Sequence, residues 1–136
     1  MHTTDYFNAF IEVAEDCRAA MGVEPPERAG PKTVARMQYE MIAQNPYKYT
    51  SDDVLFMVHA ARGGVPEARM DAERQRFFSK GQACMRASDL TRRYGWGVHF
   101  DDKARMALYA VGSPEYAYYK NDTALEHRRA MRSSAK

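Results

Sequence analysis

Two short runs of strand-forming residues in the C-terminal half constrain the fold of this chain more than any other feature. Residues 97–100 and 104–111 are rich in apolar, aromatic and β-branched side chains, and Asp101-Asp102-Lys103 joins them. Such a connection is typical of a β-hairpin. Because no run of β-α-β units is visible elsewhere, the hairpin predicts an α+β fold with a mainly antiparallel sheet, rather than a doubly wound one.

Three further segments are predicted to be strands. Apolar residues alternate through residues 6–14; they also fit one face of a helix, but the aromatic and β-branched content favours a strand. Residues 54–58 are five consecutive apolar residues, which suits a strand covered on both faces. Residues 83–87 are a shorter candidate. We therefore expect a small sheet of about four strands.

Helix signals lie between and after these runs. Ser88 can cap a short helix that Gly95 ends, and Pro114 suits the first turn of another. These signals, together with apolar positions at helical spacing, predict about four or five helices. The predicted helices run from Pro31 to Asn45, over residues 66–78, over residues 89–94, onward from Ser113, and over residues 123–131.

The chain has the size and composition of one compact domain over residues 1–136. It is 45% hydrophobic, and a chain of this length can hold a core without disulfides or metal. No apolar run approaches the roughly 18 residues that cross a bilayer, and residues 1–10 lack a signal peptide pattern. We therefore expect a cytoplasmic protein without membrane contact, in which Cys17 and Cys84 remain thiols.

The charge is unevenly distributed along the sequence. Residues 1–73 contain 7 Lys and Arg against 12 Asp and Glu, whereas residues 74–136 contain 13 against 6. A basic half can bind an anion such as nucleic acid. The alternative is that the two halves neutralise each other in the folded protein, and we favour it because halves of a sequence are rarely halves of a structure.

The residues that could carry catalysis have simpler structural explanations. Cys84 is a candidate nucleophile because cations lie near it in sequence, but a buried, unreactive thiol is more common. Asp52 and Asp53 could act as acid and base, but such residues often hydrogen-bond the backbone of a turn. The four histidines are far apart in sequence, so no metal site and no cofactor are predicted.

The segment 80–99 is the strongest candidate for a binding site. It mixes cations with aromatic side chains, a combination that can hold an anion and stack on a flat ligand. A second aromatic and cationic cluster lies in residues 47–53. The alternative is that the tryptophan is simply buried in the core. If the two segments form one cleft, the predicted ligand-binding residues are Lys80, Arg86, Arg93, Trp96, Tyr49 and His99.

Four stretches resemble a family of small bacterial proteins known as a domain of unknown function, DUF6157. They are FIEVAEDC at residues 10–17, PYKYTSDDVLF at 46–56, SKGQACMRAS at 79–88 and RYGWG at 93–97. The resemblance extends from residue 4 to about residue 133. It implies a bacterial, stand-alone cytoplasmic protein, and it supplies no activity, ligand or catalytic residue.

Four functional hypotheses follow from these observations. The favoured one is a binding or regulatory domain for a small anionic or aromatic ligand, working as a monomer or a homodimer. The second is nucleic-acid binding by the basic C-terminal half. The third is an enzyme that uses Cys84 or the Asp52/Asp53 pair. The fourth is an interaction protein, since nine methionines in a chain of this length can form an adaptable surface.

Overall fold

A computed structural model describes residues 1–133 of the chain, which form a four-stranded sheet covered by helices. The sheet order is β3-β2-β1-β4, with β1 parallel to β4 and the other neighbours antiparallel. The prediction of an α+β fold with a mainly antiparallel sheet is therefore confirmed. The strands are β1 (Ala9–Glu12), β2 (Trp96–Phe100), β3 (Met106–Ala110) and β4 (Glu126–Arg129).

Within residues 1–133, five α-helices surround this sheet. Helices α1, α2 and α4 pack together on one face, and α5 lies against the other face next to β1 and β3. Two short 3₁₀ turns, Glu67–Arg69 and Met85–Ala87, connect them. None of the helices within residues 1–133 is long and apolar enough to span a membrane. The helices are α1 (Val34–Ala43), α2 (Ser51–Gly63), α3 (Met70–Phe77), α4 (Asp89–Arg92) and α5 (Pro114–Lys120).

The register of the strands determines which side chains form the main core. Ile11 lies opposite Val98, and Val98 lies opposite Leu108, so the three side chains share one face of the sheet. That face packs against Ile42 of α1 and Leu90 of α4. Because side chains alternate along each strand, the residues next to these three in sequence point to the α5 face, where they form a second, aromatic layer.

The strand predicted over residues 54–58 is wrong, because this segment lies inside α2. A capping box starts the helix: the Thr50 side chain accepts from the Asp53 backbone, and the Asp53 side chain accepts from the Thr50 backbone. The continuous apolar run arises because α2 is buried on two sides. Val58 packs into the main core, whereas Phe56 packs with Phe78 in a second cluster.

Two other predicted elements are also wrong. The strand predicted over residues 83–87 is a 3₁₀ turn that buries Met85 completely. The helix predicted over residues 123–131 contains β4, an edge strand with mostly exposed side chains. The strand is held by backbone hydrogen bonds to β1, and it buries little side-chain surface. Its sequence therefore does not need the apolar alternation that is typical of a strand. The hydrogen bond from the Ala130 N–H to the Glu12 carbonyl, at 2.8 Å, continues that pairing.

The local signals based on caps and glycines are confirmed. The Ser88 side chain accepts from the Leu90 N–H at the start of α4, and Ser113 caps α5 directly before its N-terminal proline. Gly95 follows α4 with a φ of 80°. A Cβ atom there would lie 2.4 Å from the carbonyl oxygen of Met21, so the close backbone approach itself requires glycine.

Candidate functional site

A cleft of about 470 Å³ lies between α1, α2 and the segment after α3. The two helices pack against each other, and the chain that follows Phe77 forms the third wall of the cleft. The cleft is of the size that takes a small organic molecule. Its walls are Val34, Gln38, Leu55, Val58, His59, Arg62, Gly63, Phe77, Gln82 and Ala83.

Apolar side chains from three elements form most of the surface inside the cleft. Val34 comes from the first turn of α1, and Leu55 and Val58 come from neighbouring turns of α2. Phe77, at the end of α3, contributes an aromatic face. Val34 is left 42% exposed, although it lies on the side of α1 that faces other parts of the protein. The cleft therefore leaves apolar surface uncovered.

One side of the cleft carries a histidine held in a fixed orientation. His59 Nε2 lies 2.9 Å from a carboxylate oxygen of Glu73, and the imidazole ring lies against Phe77 with ring centres 4.5 Å apart. The hydrogen bond from His59 lowers the pKa of Glu73, so that carboxylate is ionised at neutral pH. His59 Nδ1 makes no hydrogen bond within residues 1–133.

An arginine lies near the same end of the cleft. Arg62 is in the last turn of α2, and its Nη1 donates to the carbonyl of Lys32 at 3.1 Å. This bond fixes one corner of the guanidinium against the loop before α1. The other guanidinium N–H groups form no hydrogen bond within the described part of the chain, so they are available to an anion.

The polar group at the other end of the cleft is a buried amide. Gln38 is only 3% exposed, and its carbonyl oxygen accepts from the Ser88 hydroxyl at 2.5 Å. Gln38 also borders an adjoining cavity of about 220 Å³, which Cys84 and Asp89 line on the far side. The amide therefore lies where the cleft and the adjoining cavity meet.

Cys84 is partly enclosed in that adjoining cavity. Its Sγ lies 3.4 Å from the Tyr6 hydroxyl, and burial together with this contact raises the pKa of Tyr6 to about 12. Cys84 and Cys17 are both free thiols. Within residues 1–133, no histidine is hydrogen-bonded to Cys84.

The structure does not bring the six predicted ligand-binding residues together in one cleft. Trp96 and His99 are on opposite faces of β2, because they are three positions apart and successive side chains of a strand alternate between its faces. The Trp96 ring packs near Tyr39, with centres 5.5 Å apart, and its Nε1 donates to the Val23 carbonyl at 2.9 Å. Tyr49 packs against the main core on the same side.

His99 belongs to an aromatic cluster on the α5 face. Its Nδ1 is 2.8 Å from the Tyr47 hydroxyl, which is also 2.8 Å from the Tyr109 hydroxyl. The His99 ring stacks on Tyr119 with ring centres 4.1 Å apart. Burial lowers the pKa of His99, so the neutral imidazole is favoured. Tyr47 holds this position with an unusual φ of 58°.

The three predicted cationic residues also lie in separate surroundings. Arg86 donates through Nε to the carbonyl of Arg129 at 2.7 Å, which fastens the end of β4. Arg93 lies 3.7 Å from Asp89, one turn earlier. Lys80 is exposed in the loop after α3. Binding roles for these residues stay predictions, and they cannot act together at one cleft with both Trp96 and His99.

The basic C-terminal residues meet acidic residues from the beginning of the chain. Arg129 lies 3.7 Å from Glu12 and 3.8 Å from Glu15, and Arg132 lies 3.8 Å from Glu15. Arg128 pairs with Glu126 within β4. The parallel pairing of β4 with β1 causes these contacts. The two oppositely charged parts of the sequence therefore offset each other along this edge of the sheet.

The acidic pair before α2 forms local structure. Asp52 accepts from the Thr3 hydroxyl at 2.6 Å and from the Thr4 N–H at 2.7 Å, which ties the N-terminal segment to α2. Asp53 caps the helix and accepts from Arg74 at 3.0 Å. Within residues 1–133, no group of three or more His, Cys, Asp or Glu side chains is arranged to hold a metal ion.

Comparison with known protein families decides the classification. The model of a family of unknown function, DUF6157, matches residues 1–136. The chain belongs to this family. No curated protein and no solved structure matches the chain. The resemblance seen in the four sequence stretches is therefore confirmed, and the family assigns no activity to the cleft.

None of the six predicted ligand-binding residues lines the cleft, and the predicted segment 80–99 contributes only Gln82 and Ala83 to it. Gln38 carried the one signal that was available: it lies four residues after Val34 and four before Ile42, so a polar side chain occupies the apolar face of α1. A polar residue on a buried helical face needs a partner, and that requirement points to a special site. The pair of His59 with Glu73 joins two helices that the sequence did not place together.

Proposed function

We propose that this protein binds a small organic molecule with a flat apolar body and an anionic group, in the cleft between α1, α2 and the segment after α3. The observation that carries this proposal is the composition of the cleft. It has apolar walls, a volume of about 470 Å³ and a few polar groups at its ends. Ligand sites in proteins combine these same features.

The anionic group of the ligand is inferred from Arg62. A guanidinium offers several N–H donors in a plane, and it matches a carboxylate well. Only one nitrogen of Arg62 is used, by the Lys32 carbonyl. The neighbouring carboxylate of Glu73 is already engaged by His59, and Arg76 lies 3.9 Å from it. Arg62 is therefore the positive group that best suits an incoming anion.

The flat body of the ligand is inferred from the aromatic side of the cleft. Phe77 and His59 lie close together, and both line the space. Aromatic rings stack on flat ligands, and the aliphatic side chains Leu55 and Val58 complete an apolar slot. The predicted ligand class, anionic or aromatic, is kept in this proposal. Its site is assigned to the cleft, to which segment 80–99 contributes only Gln82 and Ala83 and segment 47–53 contributes nothing.

The contacts of the other candidate groups give less support to the alternative functions. The arginines at the end of the chain are engaged by acidic side chains, which reduces the positive face that nucleic acid needs. Asp52 and Asp53 are occupied by hydrogen bonds at the start of α2. The proposed binding role of the cleft uses none of these arginine and aspartate residues, which already stabilise the fold.

The proposal is tested by titrating 2-naphthoate and neutral 2-naphthylmethanol into ¹⁵N-labelled protein and recording amide spectra. We expect both probes to shift the residues of the cleft, and the anion to bind about tenfold more tightly because of Arg62. Arg62→Gln should remove this preference. Arg69→Gln, at an exposed arginine outside the cleft, should preserve it. If neither probe shifts residues of the cleft saturably, the proposal is wrong.

A further inference from the structure

The amide of Gln38 has an orientation that the surrounding hydrogen bonds determine. The Ser88 oxygen accepts from the Leu90 N–H, because Ser88 caps α4. The single hydroxyl hydrogen of Ser88 is then left for Gln38, which must present its carbonyl oxygen as the acceptor. With the amide reversed, that hydroxyl hydrogen would be buried without a partner. The NH₂ group of Gln38 therefore points away from Ser88.

The NH₂ group of Gln38 has no partner in the protein. No side chain or carbonyl within residues 1–133 accepts from it. In the same part of the chain, Arg92 Nε is the side-chain polar atom that is both fully enclosed and unpaired. Since the Gln38 nitrogen is unpaired but is not such an enclosed atom, it reaches open space. Gln38 lines both the cleft and the adjoining cavity, so that space is the region where the two meet.

An unpaired amide at a site otherwise walled by apolar groups is costly unless something accepts from it. Gln38 as a residue is only 3% exposed to solvent. The residue borders both the cleft and the adjoining cavity. A ligand that fills the cleft displaces any water there, so the ligand itself must supply the acceptor or leave the donor unpaired.

We propose that Gln38 is the specificity-determining residue of the cleft, and that its NH₂ group donates to a carbonyl-type oxygen on the ligand. This inference rests on the proposed binding function and makes its ligand class narrower. The ligand then has an anionic group for Arg62 and a separate neutral acceptor oxygen for Gln38, on either side of a flat apolar body. Ligands with an apolar group at the second position are rejected, because they cover the amide without pairing it.

Two probes of equal shape test this assignment. 6-Acetyl-2-naphthoate carries a carbonyl oxygen, and 6-isopropenyl-2-naphthoate carries a CH₂ group in the same place. We expect the acetyl compound to bind the wild-type protein about tenfold more tightly in a calorimetric titration. In the spectrum of the wild-type protein, the side-chain NH₂ signals of Gln38 should shift with the acetyl compound and much less with the isopropenyl one.

Gln38→Met removes the donor and keeps a side chain of similar length, so both probes should then bind equally. The matched control is Gln82→Met, the same substitution at the other glutamine of the cleft. The NH₂ group of Gln82 already donates one of its two N–H groups to the Phe77 carbonyl, at 2.8 Å, so unlike that of Gln38 it has a protein partner. This control should therefore preserve the tenfold ratio between the probes, whatever its effect on their common affinity.

The outcomes separate this inference from the binding function. Equal affinity of the two probes for the wild-type protein overturns the role of Gln38 and leaves the binding function standing. A ratio that persists in Gln38→Met, or that disappears equally in Gln82→Met, also overturns it. Failure of both probes to bind contradicts the binding function and this inference together. If Gln38→Met does not fold, the Gln38 NH₂ signals of the wild-type protein decide the question.

Discussion

The two faces of the sheet use polar groups in opposite ways. On the α5 face, the Tyr47 hydroxyl is hydrogen-bonded to His99 and Tyr109, and the His99 ring stacks on Tyr119. These polar groups are therefore paired with one another inside an aromatic cluster. On the other face, α1 and α2 leave a cleft in which the Gln38 amide has an unused donor. A closed network stabilises a fold, whereas an open one is free to bind.

This comparison predicts where substitutions affect stability and where they affect binding. Residues on the α5 face should contribute to the free energy of unfolding and leave ligand affinity unchanged. Substitutions of residues that line the cleft should mainly weaken ligand affinity, and they should cost less stability than comparable changes on the α5 face. Three tests, ordered from the largest expected effect to the smallest, address this difference.

The largest effect is expected from Phe10→Ala on the α5 face. Phe10 is fully buried and contacts Tyr116 edge-to-face, with ring centres 5.1 Å apart, and Tyr119 at 5.9 Å. Removing a buried ring of this kind costs about 3–5 kcal/mol. Phe77→Ala is the matched change in the cleft, where the ring is partly exposed, and it should cost about 1–2 kcal/mol.

Urea denaturation measures both costs, and titration with 2-naphthoate measures the affinity of each variant that folds. Phe77→Ala should weaken binding because the ring forms part of the wall. Equal losses of stability at the two positions, or weaker binding in Phe10→Ala, would show that the two faces do not have separate roles.

A smaller effect is expected from Tyr47→Phe. The substitution keeps the ring and removes the hydroxyl that joins His99 and Tyr109, so both partners lose a hydrogen bond in a partly buried place. We expect a loss of about 1–3 kcal/mol in the free energy of unfolding. Tyr118→Phe is the control, because Tyr118 is 67% exposed and should tolerate the change. A Tyr47→Phe protein as stable as the control would contradict the network.

The sequence predicted the elements whose signals are local. The hairpin, the Ser88 and Ser113 caps and the glycine after α4 depend on a few neighbouring residues, and all of them are present in the structure. It failed for residues 54–58, because a short apolar run has the same composition in a buried strand and in a helix buried on two sides. The capping box of Thr50 and Asp53 was the signal that distinguished them.

The candidate site was harder to predict because its residues meet only through tertiary packing. Trp96 and His99 are close in sequence, but the alternation of a strand separates them onto opposite faces. Gln38, Arg62 and Phe77 are far apart in sequence, and they meet because α1 packs on α2 and the chain returns after α3. The ligand class that we propose came from composition, whereas the site that we propose for it depends on the packing of the helices.

The smallest effect on stability is expected from Glu73→Gln at the open cleft. The glutamine oxygen can still accept from His59 Nε2, so the ring keeps its position while the negative charge disappears. Because this pair is partly exposed, the denaturation midpoint should hardly move. Affinity for 2-naphthoate should rise by about twofold, since a carboxylate near the anion has been removed. A loss of stability as large as that of Tyr47→Phe would mean that the His59–Glu73 contact holds the fold together, and the contrast between a closed face and an open one would then be wrong.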